Sequence, residues 1–265
     1  MVVLGRTVAI FGAFIFYAPS FSIVAIAQES SPMESFLSYI ETKIDSEFME
    51  AMIHNDDTEL LSLERSLYAL NTQESVELES QKKYWISYLI FKHSVFYLRN
   101  QQPSKSETRI RYAMDILEGT EEINSENQAL LALIKIFNFQ FVPKHKFLGY
   151  RKSLNKNLKQ SIQLNNNNPR AVYAQAVFDF YTPRIFGGGK KTESLLLKAL
   201  DLPFQNTSMA YGPSWGKEDT LGLLIQHYIK KQNQDLASRY LNLLEKEFPN
   251  SGLLDSYNLQ IKPTK

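Results

Sequence analysis

Apolar residues recur at intervals of three and four along almost the whole chain, in stretches separated by short polar breaks. That period places one apolar stripe on each of a series of α-helices. From Glu34 to His54 the stripe is Phe36, Leu37, Ile40, Ile44, Phe48 and Met52. Asp56 and Asp57 stand where they would cap the next helix, whose apolar face is Leu60, Leu61, Leu63, Leu67 and Leu70. A long helix is predicted from Glu77 to Asn100. It is rich in aromatic residues (Tyr84, Trp85, Tyr88, Phe91, Phe96 and Tyr97), and Gln101-Gln102-Pro103 ends it. Further helices are predicted at Arg109 to Glu118, Glu126 to Phe139, Gly149 to Leu164, Pro169 to Phe180, Lys190 to Leu200, Lys217 to Lys231 and Gln234 to Phe248. Alternating β-branched runs bounded by turn residues are nearly missing, so the fold class expected is all-α.

The first residues read as a targeting segment. Arg6 is the only charge before Glu29, an apolar run from Val8 to Ala18 follows it, and Ala25-Ile26-Ala27 precedes Gln28. This is the order of a secretory signal peptide, with cleavage expected after Ala27 and a periplasmic or secreted mature chain from Gln28 to Lys265. The apolar run is about half of the roughly 20 residues a membrane span requires, and Pro19 interrupts it, so no stable membrane insertion is expected after cleavage. The chain has no Cys. It therefore has no disulfide, no thiol nucleophile and no Cys-ligated metal, and a helical core must hold it together.

Net charge is only +1, yet its distribution is uneven. From Gln28 to Ser80 the chain is acidic, with Lys43 and Arg65 as its only bases. From Asn127 to Phe178 there is no acid, while Lys135, Lys144, Lys146, Arg151, Lys152, Lys156, Lys159 and Arg170 are basic. Two such regions either dock on one another, present a basic face to an acidic partner, or are simply two solvated faces of opposite sign. Export and the balanced total argue against nucleic acid as a partner.

The helices come in pairs, and each pair resembles the next. The final pair carries Leu221, Leu224 and Tyr228 on its first helix, and Ala237, Leu241 and Leu244 followed by Pro249 on its second, in the phrase DLASRYLNLLEKEFPNS. Large residues there fill an inter-helix seam, a small one allows close approach, and the proline stops the helix. This resembles a tetratricopeptide repeat, departing only at Ile225, where the repeat prefers a small residue. NPRAVYAQAVFDFYTP, from Asn168 to Pro183, resembles the first helix of another repeat, with Ala176 at close approach and Thr192, Leu196 and Ala199 on its partner. Ala113 with Leu117, Leu154 with Leu158, and Ala132 hold related positions in two more diverged pairs, and Gln140 to Gly149 reads as an insertion. With WISYLIFKH, YTPRIFGGGK and YGPSWGKED, the set is similar to exported tetratricopeptide-repeat proteins of Bacteroidetes-type bacteria. The resemblance implies a TPR-like α-solenoid of about four to five antiparallel helical pairs, and no established activity. The division expected is a signal peptide over 1–27, a diverged first pair over 28–76, repeats over 77–250 and a tail over 251–265.

Motifs that would carry chemistry are weak. Gly187-Gly188-Gly189-Lys190-Lys191-Thr192 lacks the first Gly and the Lys-Ser/Thr order of a phosphate-binding loop, and no strand precedes it. It reads as a turn, with Lys190 and Lys191 able at most to hold an anion at the following helix start. His54, His93, His145 and His227 fall in separate segments without metal-ligand spacing, and no nucleophile elbow occurs. No cofactor and no metal are expected. The functional expectation is a non-catalytic scaffold binding a protein segment or peptide in the groove lined by the first helices of a solenoid. By repeat position Arg170, Tyr173, Val177 and Phe180 should line that groove in one pair, Asp219, Gln226 and Lys230 in the next, and Tyr84 and Tyr88 further up. Trp215 is expected under the glycine turn beside Tyr181 and Phe186, with Lys190 completing a second candidate patch. The alternatives are a small-ligand binder serving a transport system, sited between that turn and the aromatic helix, and an enzyme of unrecognised type.

Overall fold

A computed structural model of the chain describes residues 32–72, 75–205 and 211–261. The expected signal peptide and its cleavage point lie outside the described residues. Eleven α-helices follow one another with no strand among the described residues: α1 Pro32–His54, α2 Thr58–Ala69, α3 Val76–Arg99, α4 Pro103–Glu118, α5 Ser125–Asn138, α6 Phe147–Leu164, α7 Pro169–Tyr181, α8 Thr192–Leu200, α9 Lys217–Lys230, α10 Gln234–Glu247 and α11 Leu253–Asn258. The insertion after α5 folds as two 3₁₀ turns, Phe139–Phe141 and Lys144–Lys146, and a third, Arg184–Phe186, follows α7.

The helices pack as an α-solenoid of antiparallel pairs, α3 with α4, α5 with α6, α7 with α8 and α9 with α10, each pair resting on the next. α1 and α2 lie against α3, and α11 packs on α10. The small residues read as close-approach positions do sit at the seams: Ala113, Ala132, Ala176 and Ala237 are fully buried, as are Leu154, Leu196 and Leu244. Ile225, where a small residue was preferred, is fully buried too.

Local chemistry sets the helix starts. The side chains of Ser75, Asn124, Asn168 and Asn233 each accept a hydrogen bond from a backbone N–H in the first turn of α3, α5, α7 and α10. Pro103 is the first residue of α4, so this helix starts six residues before the expected Arg109. Proline ends one helix there and opens the next, because its missing N–H costs nothing in a first turn. The helix expected from Lys190 begins at Thr192, and the 251–265 tail contains α11. Asp56 accepts from the backbone N–H (3.0 Å) and hydroxyl (2.6 Å) of Thr58 at the start of α2. Asp57 makes no cap bond with its side chain and is committed elsewhere.

Candidate functional site

Arg170 is the pin of the molecule's centre. It follows Pro169 in the first turn of α7, and its guanidinium makes a bidentate pair with Glu126 in the first turn of α5, at 2.6 and 2.7 Å. Its Nη1 also donates to the carbonyls of Phe204 (2.8 Å) and Trp215 (3.0 Å). These bonds draw the segment before α9 down onto the first helices. The Trp215 ring stacks on Tyr88 at 5.1 Å between centroids, its indole N–H donates to the Tyr84 hydroxyl at 2.9 Å, and Arg170 lies over its face. Trp85 donates to the carbonyl of Tyr211. Glu41 of α1 clamps the same segment from the other side, accepting from the backbone N–H (2.7 Å) and hydroxyl (2.6 Å) of Ser214. Burial raises the Glu41 pKa above the ordinary carboxylate value, and the two Ser214 bonds only partly offset it.

Beside this knot, α1, α3, α7 and α9 enclose a second set of charges. Lys92 of α3 pairs with Asp45 of α1 at 3.1 Å and lies over the rings of Phe48 and Tyr88. Tyr88 donates its hydroxyl to Asp45 at 3.0 Å. Glu218 and Asp219, in the first turn of α9, lie within electrostatic reach of Lys92 and Asp45. Burial raises the pKa of both, while Lys92 pulls each back down. Tyr173 of α7 lies within reach of Asp219 and of Tyr181 and Tyr257, and remains half-buried. Tyr257 of α11 donates to the carbonyl of Gly222 (2.8 Å), and Ser251 donates to Glu218 (2.5 Å). Lys92 therefore pairs with Asp45 alone, while two further carboxylates lie within its electrostatic reach near Tyr173.

The structure divides the residues expected to line a groove. Tyr84, Tyr88 and Arg170 come together, but inside the protein: each is at most 3 % exposed. Their places on the first-helix face are covered by α1 and by the 211–216 segment, which no repeat position foretold. Val177 and Phe180 are buried as well, Phe180 under the Lys230 ammonium at 4.8 Å from its centroid. Tyr173 is half-buried, and Gln226 and Lys230 are exposed. Trp215 does not pack under the glycine turn with Tyr181 and Phe186. Arg170, Tyr84 and Tyr88 hold it, while Tyr181, Phe186 and Lys190 are exposed.

Lys135 and Arg170, from the basic stretch, pair with Glu118 and Glu126 rather than with the acidic start of the chain. Glu126 was missed as a candidate. Its signal was its place in the first turn of α5, the repeat position that Arg170 holds in α7.

His93 is fully buried and committed. Arg109 donates to its Nδ1 (3.2 Å), so Nε2 carries the proton and donates to Asp57 (2.7 Å), which also accepts from Tyr97 (2.6 Å). Arg109 in turn forks onto Glu64. His227 lies 3.4 Å from Glu193, which is shared with Tyr228 and Lys231. Among the described residues no group of three His, Asp or Glu side chains is placed to hold a metal ion. An open depression of about 620 Å³ beside α2 and α3, edged by Tyr68, Thr72, Lys82 and Glu122, contains none of the expected site residues.

No protein-family model, curated protein or solved structure matches this chain.

Proposed function

We propose that this protein is an exported, TPR-like, non-catalytic scaffold that binds a basic protein segment or peptide on the first-helix face between α1, α7 and α9. The observation that carries this reading is the cluster in which Asp45 pairs with Lys92 while Glu218 and Asp219 lie only within its electrostatic reach, beside the half-buried Tyr173. A Lys or Arg side chain entering there meets carboxylates whose charge is undercompensated, and a tyrosine that gives contact area at small entropic cost. Exposed Gln226, one turn from Lys230 on α9, extends the face with polar groups suited to a peptide backbone. The commitment of His93 and His227 to structural bonds supports the non-catalytic side of the reading.

A panel of fluorescent peptides of matched length, rich in Lys/Arg or in Glu, tests it by anisotropy. The basic peptides should bind and the acidic ones should not. Tyr173→Ala and Asp219→Asn should each weaken binding by about tenfold or more while far-ultraviolet circular dichroism is retained. Equal binding of both peptide classes, or affinities indifferent to both substitutions, would remove the cleft from the account.

A further inference from the structure

The segment between α7 and α8 forms a stiff knuckle that carries apolar side chains outward. Its backbone is closed by bonds from the N–H of Gly187 to the Arg184 carbonyl (2.9 Å) and from the N–H of Gly189 to the Asp179 carbonyl (2.8 Å). Asp179 also accepts at one carboxylate oxygen from the backbone N–H of Lys191 (2.9 Å) and the hydroxyl of Thr192 (2.7 Å). Gly187 and Gly189 have φ of +86° and +74°, and a Cβ on Gly188 would fall 1.9 Å from the Thr182 carbonyl oxygen. The shape is therefore built, and what it presents is apolar: Ile185 is 85 % exposed, and Tyr181 and Phe186 are each 62 % exposed.

The unpaired charge around this tip has one sign. Arg184, Lys190 and Lys191 are exposed and form no ion pair among the described residues, and Lys230 stands over Phe180 next to Tyr181. The neighbouring acids are occupied: Asp179 in the turn, Glu193 with Lys231 at 2.6 Å. A convex tip of two apolar side chains and a tyrosine falls well short of the roughly 800 Å² per partner that a stable protein interface buries. An apolar point with a tyrosine at its base and unpaired cations behind it instead matches the layering of a bilayer surface, with acyl chains beneath anionic headgroups.

We propose that this knuckle docks the protein reversibly on an anionic lipid surface, Ile185 and Phe186 entering the headgroup boundary and Arg184, Lys190 and Lys191 meeting lipid phosphates. The knuckle borders the proposed peptide face, with Tyr181 within electrostatic reach of Tyr173, but its test uses no peptide.

Flotation of the full mature chain with vesicles of phosphatidylcholine plus phosphatidylglycerol, and with phosphatidylcholine alone, tests it. Binding is expected only to the mixed vesicles and should weaken as salt is raised. Lys190→Gln and Lys191→Gln should each reduce partitioning about fivefold, and the double variant Ile185→Glu/Phe186→Glu should abolish it without loss of helicity. An Ile185→Trp variant should shift its emission to the blue on adding mixed vesicles, which reports the tip itself. Failure of the wild type to float with anionic vesicles, equal binding to both vesicle types, or retention by the double variant would overturn the proposal. So would a concentration-dependent dimer, in sedimentation, that the double variant loses, since the tip would then serve a second copy of the chain.

Discussion

Arg170 and Glu126 face each other as a bidentate pair at 2.6 and 2.7 Å, 44 residues apart in sequence, with side chains 1 % and 3 % exposed. Each stands in the first turn of the first helix of its pair, so the ion pair ties successive repeats at one end. Removing one partner leaves a buried charge without its counterion. Arg170→Met should therefore cost about 3 to 5 kcal/mol in urea unfolding. Arg170→Lys should recover only part of this, because an ammonium cannot hold both carboxylate oxygens and two carbonyls in the same fork. The double variant Arg170→Met/Glu126→Leu should be more stable than Arg170→Met alone.

The Trp215 side chain is held by stacking on Tyr88, by the Arg170 guanidinium over its face and by one hydrogen bond to Tyr84. Trp215→Ala should destabilise by about 3 to 5 kcal/mol through the cavity it leaves. Trp215→Phe keeps an aromatic ring on Tyr88 but strips the buried Tyr84 hydroxyl of its donor, for about 1 to 3 kcal/mol. Glu41→Ala should loosen the same segment from α1, which near-ultraviolet circular dichroism would register as a changed tryptophan signal.

His93 gives the fold a pH dependence whose sign follows from its surroundings. Burial pulls its pKa below the ordinary imidazole value, and nearby Arg109 adds to this against the pull of Asp57. Near the unfolded value of about 6.5 the unfolded chain takes a proton that folded His93 refuses. Stability from this site is thus complete above that pH and declines as pH falls toward the lower folded value, with a slope of at most about 1.4 kcal/mol per pH unit. Glu41, Glu218 and Asp219 have raised values and act in the opposite sense, so the comparison must be differential. The stability difference between wild type and His93→Gln should shrink as pH falls from 7 to 5. A constant difference would show that His93 does not titrate in this range.

The glycine turn separates two kinds of glycine. Gly188→Ala meets the Thr182 backbone and should cost more than Gly187→Ala, which meets open space and only a positive φ worth about 1 to 2 kcal/mol. Equal costs in chemical denaturation would mean that the turn yields.

The helices, their pairing and their seam residues were legible because they rest on local rules: spacing of apolar positions, helix-ending prolines, and a small residue where two helices touch. Pro103 was half legible, since a residue that ends one helix can also open another. The fate of Arg170 was not legible. Repeat position put it on the first-helix face, and that is where it lies, but only the tertiary structure shows that Glu126 and the Trp215 segment close over it. Tyr84 and Tyr88 follow the same logic. Expected in a groove, they are buried, and what covers them comes from α1 and from the loop before α9, which are distant in sequence. Gln226 and Lys230 are exposed on α9, with Lys230 reaching over Phe180 of the preceding pair.

The central claim is that the aromatic wall of α3 is sealed by the chain itself. The chain has only two tryptophans, Trp85 and Trp215, 1 % and 8 % exposed on the two sides of that seal. Acrylamide quenching of intrinsic tryptophan emission in the folded protein therefore reads the seal directly. A blue-shifted emission that resists quenching until the protein unfolds is the predicted result, and a red-shifted, freely quenched emission from the folded protein would contradict it.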